Sequence, residues 1–237
     1  MLETRSQEPE LLDAPGFSPE LARKSYIFME RVNRYFGGIS NVRRFIAEEA
    51  SRRQPLRVLD IGSGACDIPL ALCDWARRNG VDLRFTCLEI EPEAMAIAKE
   101  KLARERSWEP QIELLAEDAF THRPAQPYDC ATSSMCFHHF SDEKILELLE
   151  HLRGIVSGRV FINDLRREPL ALLGAVALSA FSDPGVKHDS RLSVRRGFRV
   201  DELRTLLKRL ENAAVKVEAA WLYRVAASIE FRKEGAQ

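Results

Sequence analysis

The chain lacks the features that mark most specialised classes. It has no surplus of one charge: 35 Lys and Arg stand against 36 Asp and Glu, a net of −1 with histidine neutral. Such balance argues against a nucleic-acid or membrane-surface partner. Cysteine is sparse. The five are Cys66, Cys73, Cys87, Cys130 and Cys136. They are odd in number, lack C-x-x-C spacing and sit mostly inside apolar runs, which fits buried free thiols in a reducing compartment. No metal site is expected. Long apolar runs are missing too. The longest, residues 170–180, falls short of the ~20 residues that span a bilayer. No basic and apolar leader opens the chain, and a cytoplasmic protein is expected. Internal repeats and low-complexity tracts are absent.

What is present is 237 residues with 45% hydrophobic content, enough for one sizeable α/β domain. The chain is organised around Leu56-Arg57-Val58-Leu59-Asp60-Ile61-Gly62-Ser63-Gly64-Ala65-Cys66-Asp67. A short apolar run breaks at two glycines and resumes with a helical apolar period. That spacing predicts a buried strand, a tight turn and a helix. Asp60 falls at the carboxyl end of the strand, where open α/β sheets bind ligands. A dinucleotide fingerprint, G-x-G-x-x-G, would need glycine where Asp67 stands. An acid at a helix N-terminus repels a pyrophosphate.

Residues 1–17 are polar and aperiodic and are expected to form a mobile arm. Ser18-Pro19-Glu20 reads as a helix start. Two helices over 18–54 precede the first strand. They form a cap, either over the sheet edge or as a lid on the crevice. Residues 55–237 then alternate strand and helix, with strands over 56–61, 82–89, 111–115, 128–134 and 158–163. This alternation predicts a doubly wound, mostly parallel sheet with helices on both faces. A substrate-side insertion is expected over 165–200: an apolar helix at 170–181, then a polar loop at 182–197. An amphipathic helix with Leu203, Leu206, Leu207 and Leu210 follows. The runs 215–221 and 224–231 are joined too tightly for a crossover and must be antiparallel. The full expectation is a seven-stranded sheet ending in an antiparallel hairpin.

Asp60-x-Gly62-x-Gly64, Leu88-Glu89-Ile90-Glu91-Pro92-Glu93, Glu117-Asp118-Ala119 and Tyr128-Asp129 together resemble the class I S-adenosylmethionine-dependent methyltransferases over about 58–164. Cys66 departs from that family's third glycine. Asn33-Arg34-Tyr35-Phe36-Gly37-Gly38 is similar to the lead-in helix of the ubiquinone and menaquinone methyltransferases. His188-Asp189 through Ser193-Val194-Arg195-Arg196-Gly197-Phe198 resembles small bacterial methyltransferases found beside type III polyketide synthases.

The resemblance implies S-adenosylmethionine as cofactor and S-adenosylhomocysteine as product. It implies cofactor contacts from Asp60, Ile61, Gly62, Ser63, Gly64, Glu89, Ile90, Asp118, Ala119 and Ser134. Glu89 would accept the ribose hydroxyls, Asp118 and Ala119 would meet the adenine, and Asp60 with the turn would meet the ammonium. The acceptor implied is a small molecule, phenolic, quinone-like or polyketide, methylated on oxygen or carbon. Candidate bases are His139 and His138 after strand four, and His188 in the polar loop. Arg166 and Arg195 are candidates for holding an acidic acceptor. Two other readings stay open: a nicotinamide-dependent oxidoreductase, and a cofactor-binding module without transfer.

Overall fold

The structure is a computed structural model that describes residues 2–13, 16–104 and 111–232. Its centre is β1 (Leu56–Ile61), buried except at Arg57. Alternate side chains leave a strand on opposite faces. Leu59 and Ile61 enter one core, and Leu56 and Val58 the other. A strand buried on both sides needs a near-continuous apolar run. That is why the run is legible in the sequence.

The remaining elements are α1 (Pro19–Tyr35), α2 (Gly38–Arg52), α3 (Asp67–Arg78), β2 (Leu83–Leu88), α4 (Pro92–Arg104), β3 (Ile112–Leu115), β4 (Cys130–Ser134), α5 (Asp142–Ile155), β5 (Arg159–Leu165), α6 (Pro169–Leu178), α7 (Pro184–Arg196), α8 (Val200–Leu207), β6 (Ala213–Ala220) and β7 (Arg224–Phe231). The sheet has seven strands in the order β3-β2-β1-β4-β5-β7-β6. β1 to β5 pair in parallel, whereas β7 is antiparallel to both β5 and β6. One face is covered by Ile145, Leu148, Leu149 and Leu152 of α5 and Leu203, Leu206 and Leu207 of α8. Val42, Phe45 and Ile46 of α2 and Leu72, Cys73 and Ala76 of α3 cover the other. Phe45 stacks on Phe161 of β5 with ring centres 4.7 Å apart. The expected doubly wound sheet with a terminal hairpin is the observed fold.

The chain reverses its lateral direction between β1 and β4, which opens a crevice at their carboxyl ends. α1 lies across that opening. Its Ala22 and Tyr26 pack with Ala65 of the glycine turn and with Ala94 and Ile97 of α4. Proline at the helix start and Gly37, in the left-handed region at φ +82°, set its ends. A Cβ on Gly37 would sit 2.5 Å from the Trp221 carbonyl, so glycine also lets the cap approach the hairpin.

Three expectations need correction. Residues 182–197 are not a loop, because α7 fills most of them. Asp183 caps it by accepting from the Gly185 amide, and Pro184 opens its first turn. The buried side of α7 carries Asp189, Ser193 and Arg196 beside Val186 and Leu192, so an apolar period never shows. Next, the described part of the opening segment is held in place. The Leu11 and Leu12 amides donate to Asp189 at 2.9 and 3.0 Å, and Arg196 donates to the Glu8 carbonyl at 2.8 Å. Met1 and residues 14 and 15 of the expected arm lie outside the described residues. Lastly, β5 runs on to Leu165, which places Asp164 inside the strand.

Candidate active site

The crevice holds a cleft of about 1520 Å³ at the ends of β1, β2 and β4. Its walls include all ten residues expected from the sequence to face a cofactor: Asp60, Ile61, Gly62, Ser63, Gly64, Glu89, Ile90, Asp118, Ala119 and Ser134. Gly62 and Gly64 both take positive φ, +63° and +55°. A Cβ on Gly62 would come within 2.5 Å of the Cys136 sulfur. Cys66 also takes the left-handed region at φ 60°, which explains why the resembled family places glycine there. Its side chain is fully buried, with Sγ 3.8 Å from that of Cys87.

Glu89 fastens the turn. Oε2 accepts from the Gly64 amide at 2.8 Å, and Oε1 accepts from the Ile90 and Glu91 amides at 2.8 and 2.9 Å. A carboxylate has about four acceptor sites, so capacity for a ligand hydroxyl remains. Asp118 accepts from the Phe120 amide at 2.9 Å, a turn that holds its carboxylate at the rim. Asp60 accepts from the Thr132 hydroxyl at 2.7 Å across the β1–β4 pair. Burial pushes the Asp60 carboxyl up to about 7; the Thr132 bond opposes that, and Asp67 and Glu89 add to it. Burial also raises Asp67, against the amide that Asn33 donates at 3.1 Å.

Among the described residues, the cleft lining therefore carries Asp13, Asp60, Asp67, Glu89, Glu91, Glu117 and Asp118, and neither lysine nor arginine. Such a surface attracts a cation and repels phosphates. A sulfonium with an ammonium fits this donor set, and a dinucleotide pyrophosphate does not.

A second cavity of about 890 Å³ adjoins the cleft. Leu12, Met29 and Met135 line both spaces. Its walls include Phe28, Val32 and Phe36 of α1, Ala171, Ala175 and Leu178 of α6, Val186 and Val194 of α7, and Leu222, Tyr223 and Arg224 at the hairpin, with Glu10 and Asp189 at its acidic side. Almost every exposed atom in it is carbon, which suits an apolar guest.

The candidate bases separate. His139 lines the cleft, with Nδ1 2.9 Å from Oδ2 of Asp13. A proton shared there leaves the lone pair on Nε2 available. His138 lines neither space. Its Nδ1 lies 2.6 Å from Oδ1 of Asp164, and its Nε2 3.4 Å from Glu10. Burial alone would lower this imidazole, but Asp164 and Glu10 outweigh burial and raise it to about 9. A ring held protonated does not accept a proton at neutral pH. His188 sits on α7, half exposed and 3.0 Å from Asp189, and lines neither space. Arg166 pairs with Glu168 at 2.7 Å and lies over the Tyr223 ring, outside both linings. Arg195 is in the last turn of α7, also outside them; its carbonyl accepts from the Ser6 amide at 3.1 Å.

Sequence reasoning missed Glu10, Asn33 and Arg224, and used Asp67 only to argue against a pyrophosphate. Asn33 was visible only as part of a resembling segment. Arg224 opens a strand run and reads as a surface cation. Its burial comes from a cap that is distant in sequence.

Residues 58–157 match the family model described as a methyltransferase domain. The fold is similar to that of the plantazolicin methyltransferase BpumL in complex with SAH: TM-score 0.69, 14% identity, with 94% of this chain and 93% of that chain covered. It is similar to a SAM-dependent methyltransferase from Aquifex aeolicus, with TM-score 0.60, 17% identity and coverages of 91% and 99%. It is also similar to the magnesium protoporphyrin IX methyltransferase ChlM from Synechocystis PCC 6803 with bound SAM, with TM-score 0.56, 11% identity and coverages of 93% and 88%. No curated protein matches the chain by sequence. Among the described residues, no helix is long and apolar enough to cross a membrane.

Proposed function

From a chain that carries a methyltransferase domain in a class I methyltransferase fold, we propose transfer of the methyl group of S-adenosylmethionine to a planar, apolar small molecule. The observation that supports this reading is the pair of adjoining spaces: an acidic cleft, lined by neither lysine nor arginine among the described residues, that shares Leu12, Met29 and Met135 with a largely apolar cavity. The acceptor class favoured is phenolic, quinone-like or polyketide.

The cofactor, when bound, supplies an electrophilic methyl on a sulfonium, already activated for displacement. The chain supplies the rest. Glu89 would accept a ribose hydroxyl at its remaining acceptor site while holding the glycine turn. Gly62 and Gly64 leave room for close approach by the amino-acid end, with the Asp60 carboxylate behind it. Asp118 and the Ala119 amide flank the adenine. The apolar cavity excludes water and presents the acceptor in line, so alignment is the larger part of the rate gain. His139 faces the cleft and takes a proton from an acceptor that binds un-ionised.

A thermal-shift series tests the reading. At 100 times its dissociation constant, a ligand stabilises by about 2.7 kcal/mol, which moves the midpoint of a domain this size by roughly 5–10 °C. S-adenosylhomocysteine is expected to do so, and NAD and NADP to leave the midpoint unmoved. The reverse pattern refutes the proposal. Labelled methyl transfer to a phenol and quinol panel then reads the acceptor.

A further inference from the structure

Two polar atoms in the apolar cavity have no partner among the described residues: Nη1 of Arg224 and Oγ of Ser25. Arg224 is 1% exposed. Its other nitrogens are tied: Nε donates to the Phe36 carbonyl at 2.9 Å, and Nη2 donates to Oδ1 of Asn33 at 3.4 Å. Phe36 lines the cavity and Asn33 lines the cleft, so the guanidinium is held beside the passage between them. It forms no ion pair among the described residues. Asp164, the acid with most influence on it, is engaged by the ring and amide of His138 and by the Leu165 amide. Burial lowers the Arg224 pKa to about 10, against the pull of Asp164 and Asp67, so the group stays charged at neutral pH.

A buried cation without a counter-charge is costly. The backbone leading to it is strained as well. Leu222 and Tyr223, both in the cavity wall, take φ of 55° and 59° in the turn just before Arg224. Two successive non-glycine residues in that region persist only where the surroundings impose them. A guanidinium presents a planar fork that matches an oxyanion. In the same cavity Phe28, Val32, Leu178 and Val194 are hydrocarbon, and its two carboxylates are engaged: Glu10 accepts from the Ser193 hydroxyl at 2.7 Å, and Asp189 accepts from the Leu11 and Leu12 amides.

We propose that Arg224 anchors an ionised oxygen of the acceptor, with Ser25 donating a second hydrogen bond, so that the cavity selects planar aromatic carboxylates and acidic phenols over neutral analogues. The proposal names the acceptor class for the methyl transfer proposed above and rests on that reading.

The probes are 2-naphthoate and its neutral counterpart 2-naphthamide, titrated by calorimetry with and without S-adenosylhomocysteine. Loss of S-adenosylhomocysteine binding alone would count against the methyl-transfer reading; the naphthoate titration reads the cavity in either case. Wild-type protein is expected to bind naphthoate at least tenfold tighter than naphthamide. Arg224→Gln should erase the difference, and Arg224→Lys should retain part of it. Equal binding of the two probes, no naphthoate binding, or a preference that survives Arg224→Gln overturns the proposal. Circular dichroism checks that the variants fold. Should they not, 4-nitrophenol decides on the wild type, because its visible band reports ionisation. Bound 4-nitrophenol should be ionised at a pH where the free phenol is not. An unshifted titration overturns the proposal.

Discussion

Asp60 gives a prediction that depends on little besides its burial. The carboxyl is raised from 3.8 to about 7, chiefly by burial. The folded chain therefore keeps a proton that the unfolded chain has already released. By linkage, stability falls as pH rises wherever the folded state binds more protons. The window opens near pH 4 and closes near pH 7, and above it the contribution is constant. About three pH units at about 1.4 kcal/mol each amount to about 4 kcal/mol lost across the window. Asp60→Asn keeps an oxygen for the Thr132 hydroxyl but cannot ionise. Urea unfolding of both proteins at pH 5, 6, 7 and 8 reads the term, since carboxylates remote from Asp60 cancel in the difference and only Asp67 and Glu89 share its titration. The variant should gain on the wild type steadily up to about pH 7 and then hold that lead. Cofactor binding gives a second readout. If Asp60 faces the ammonium, wild-type affinity for S-adenosylhomocysteine should rise with pH over the same window, while that of the variant stays flat. A stability difference that does not change with pH would refute the reasoning.

Glu89→Ala should weaken S-adenosylhomocysteine binding by about 2–4 kcal/mol, because charged buried hydrogen bonds are lost; calorimetry that shows wild-type affinity removes Glu89 from the site. Gly62→Ala places a Cβ 2.5 Å from the Cys136 sulfur at φ +63°, and should cost about 2–4 kcal/mol of stability from clash and backbone together. Cys136→Gly in the same chain should restore part of that in urea unfolding, and no recovery counts against the contact. His138, raised from 6.5 to about 9 by Asp164 and Glu10 against burial, contributes stability that is full below about pH 6.5 and is lost as pH rises through 9. His138→Gln should flatten that limb of the thermal profile, and an unchanged limb assigns it elsewhere. His139→Ala should lower turnover about 10²-fold with little change in cofactor affinity, whereas His188→Ala should leave both near wild type; equal losses in the two variants would contradict the placement of His188 outside both spaces.

The parts of the fold and cleft legible in the sequence are those whose signals are local. β1 and its turn show because a doubly buried strand must be apolar and a close approach needs glycine. Glu89 and Asp118 show because each follows a strand end. α7 is not legible in the sequence because Asp189, Ser193 and Arg196 fill its inner side, and their partners lie far off. Asp189 is bonded from Leu11 and Leu12, and Ser193 bonds Glu10, 183 residues away. No window of sequence holds both halves of such a pair. Arg224 was missed for the same reason. Its partners, Phe36 and Asn33, are 188 and 191 residues away.

The seam between the two spaces is made of side chains. Leu12, Met29 and Met135 stand there, and methionine is flexible and unbranched. Leu12 and Met29 also pack against the cluster that includes Ala65 of the glycine turn, whereas the Gly64 amide is held by Glu89. The hydrogen bond on the glycine turn and the boundary between the two spaces are thus carried by different side chains. Side chains and not backbone set that boundary, so a designer in search of a new acceptor would start at those three residues.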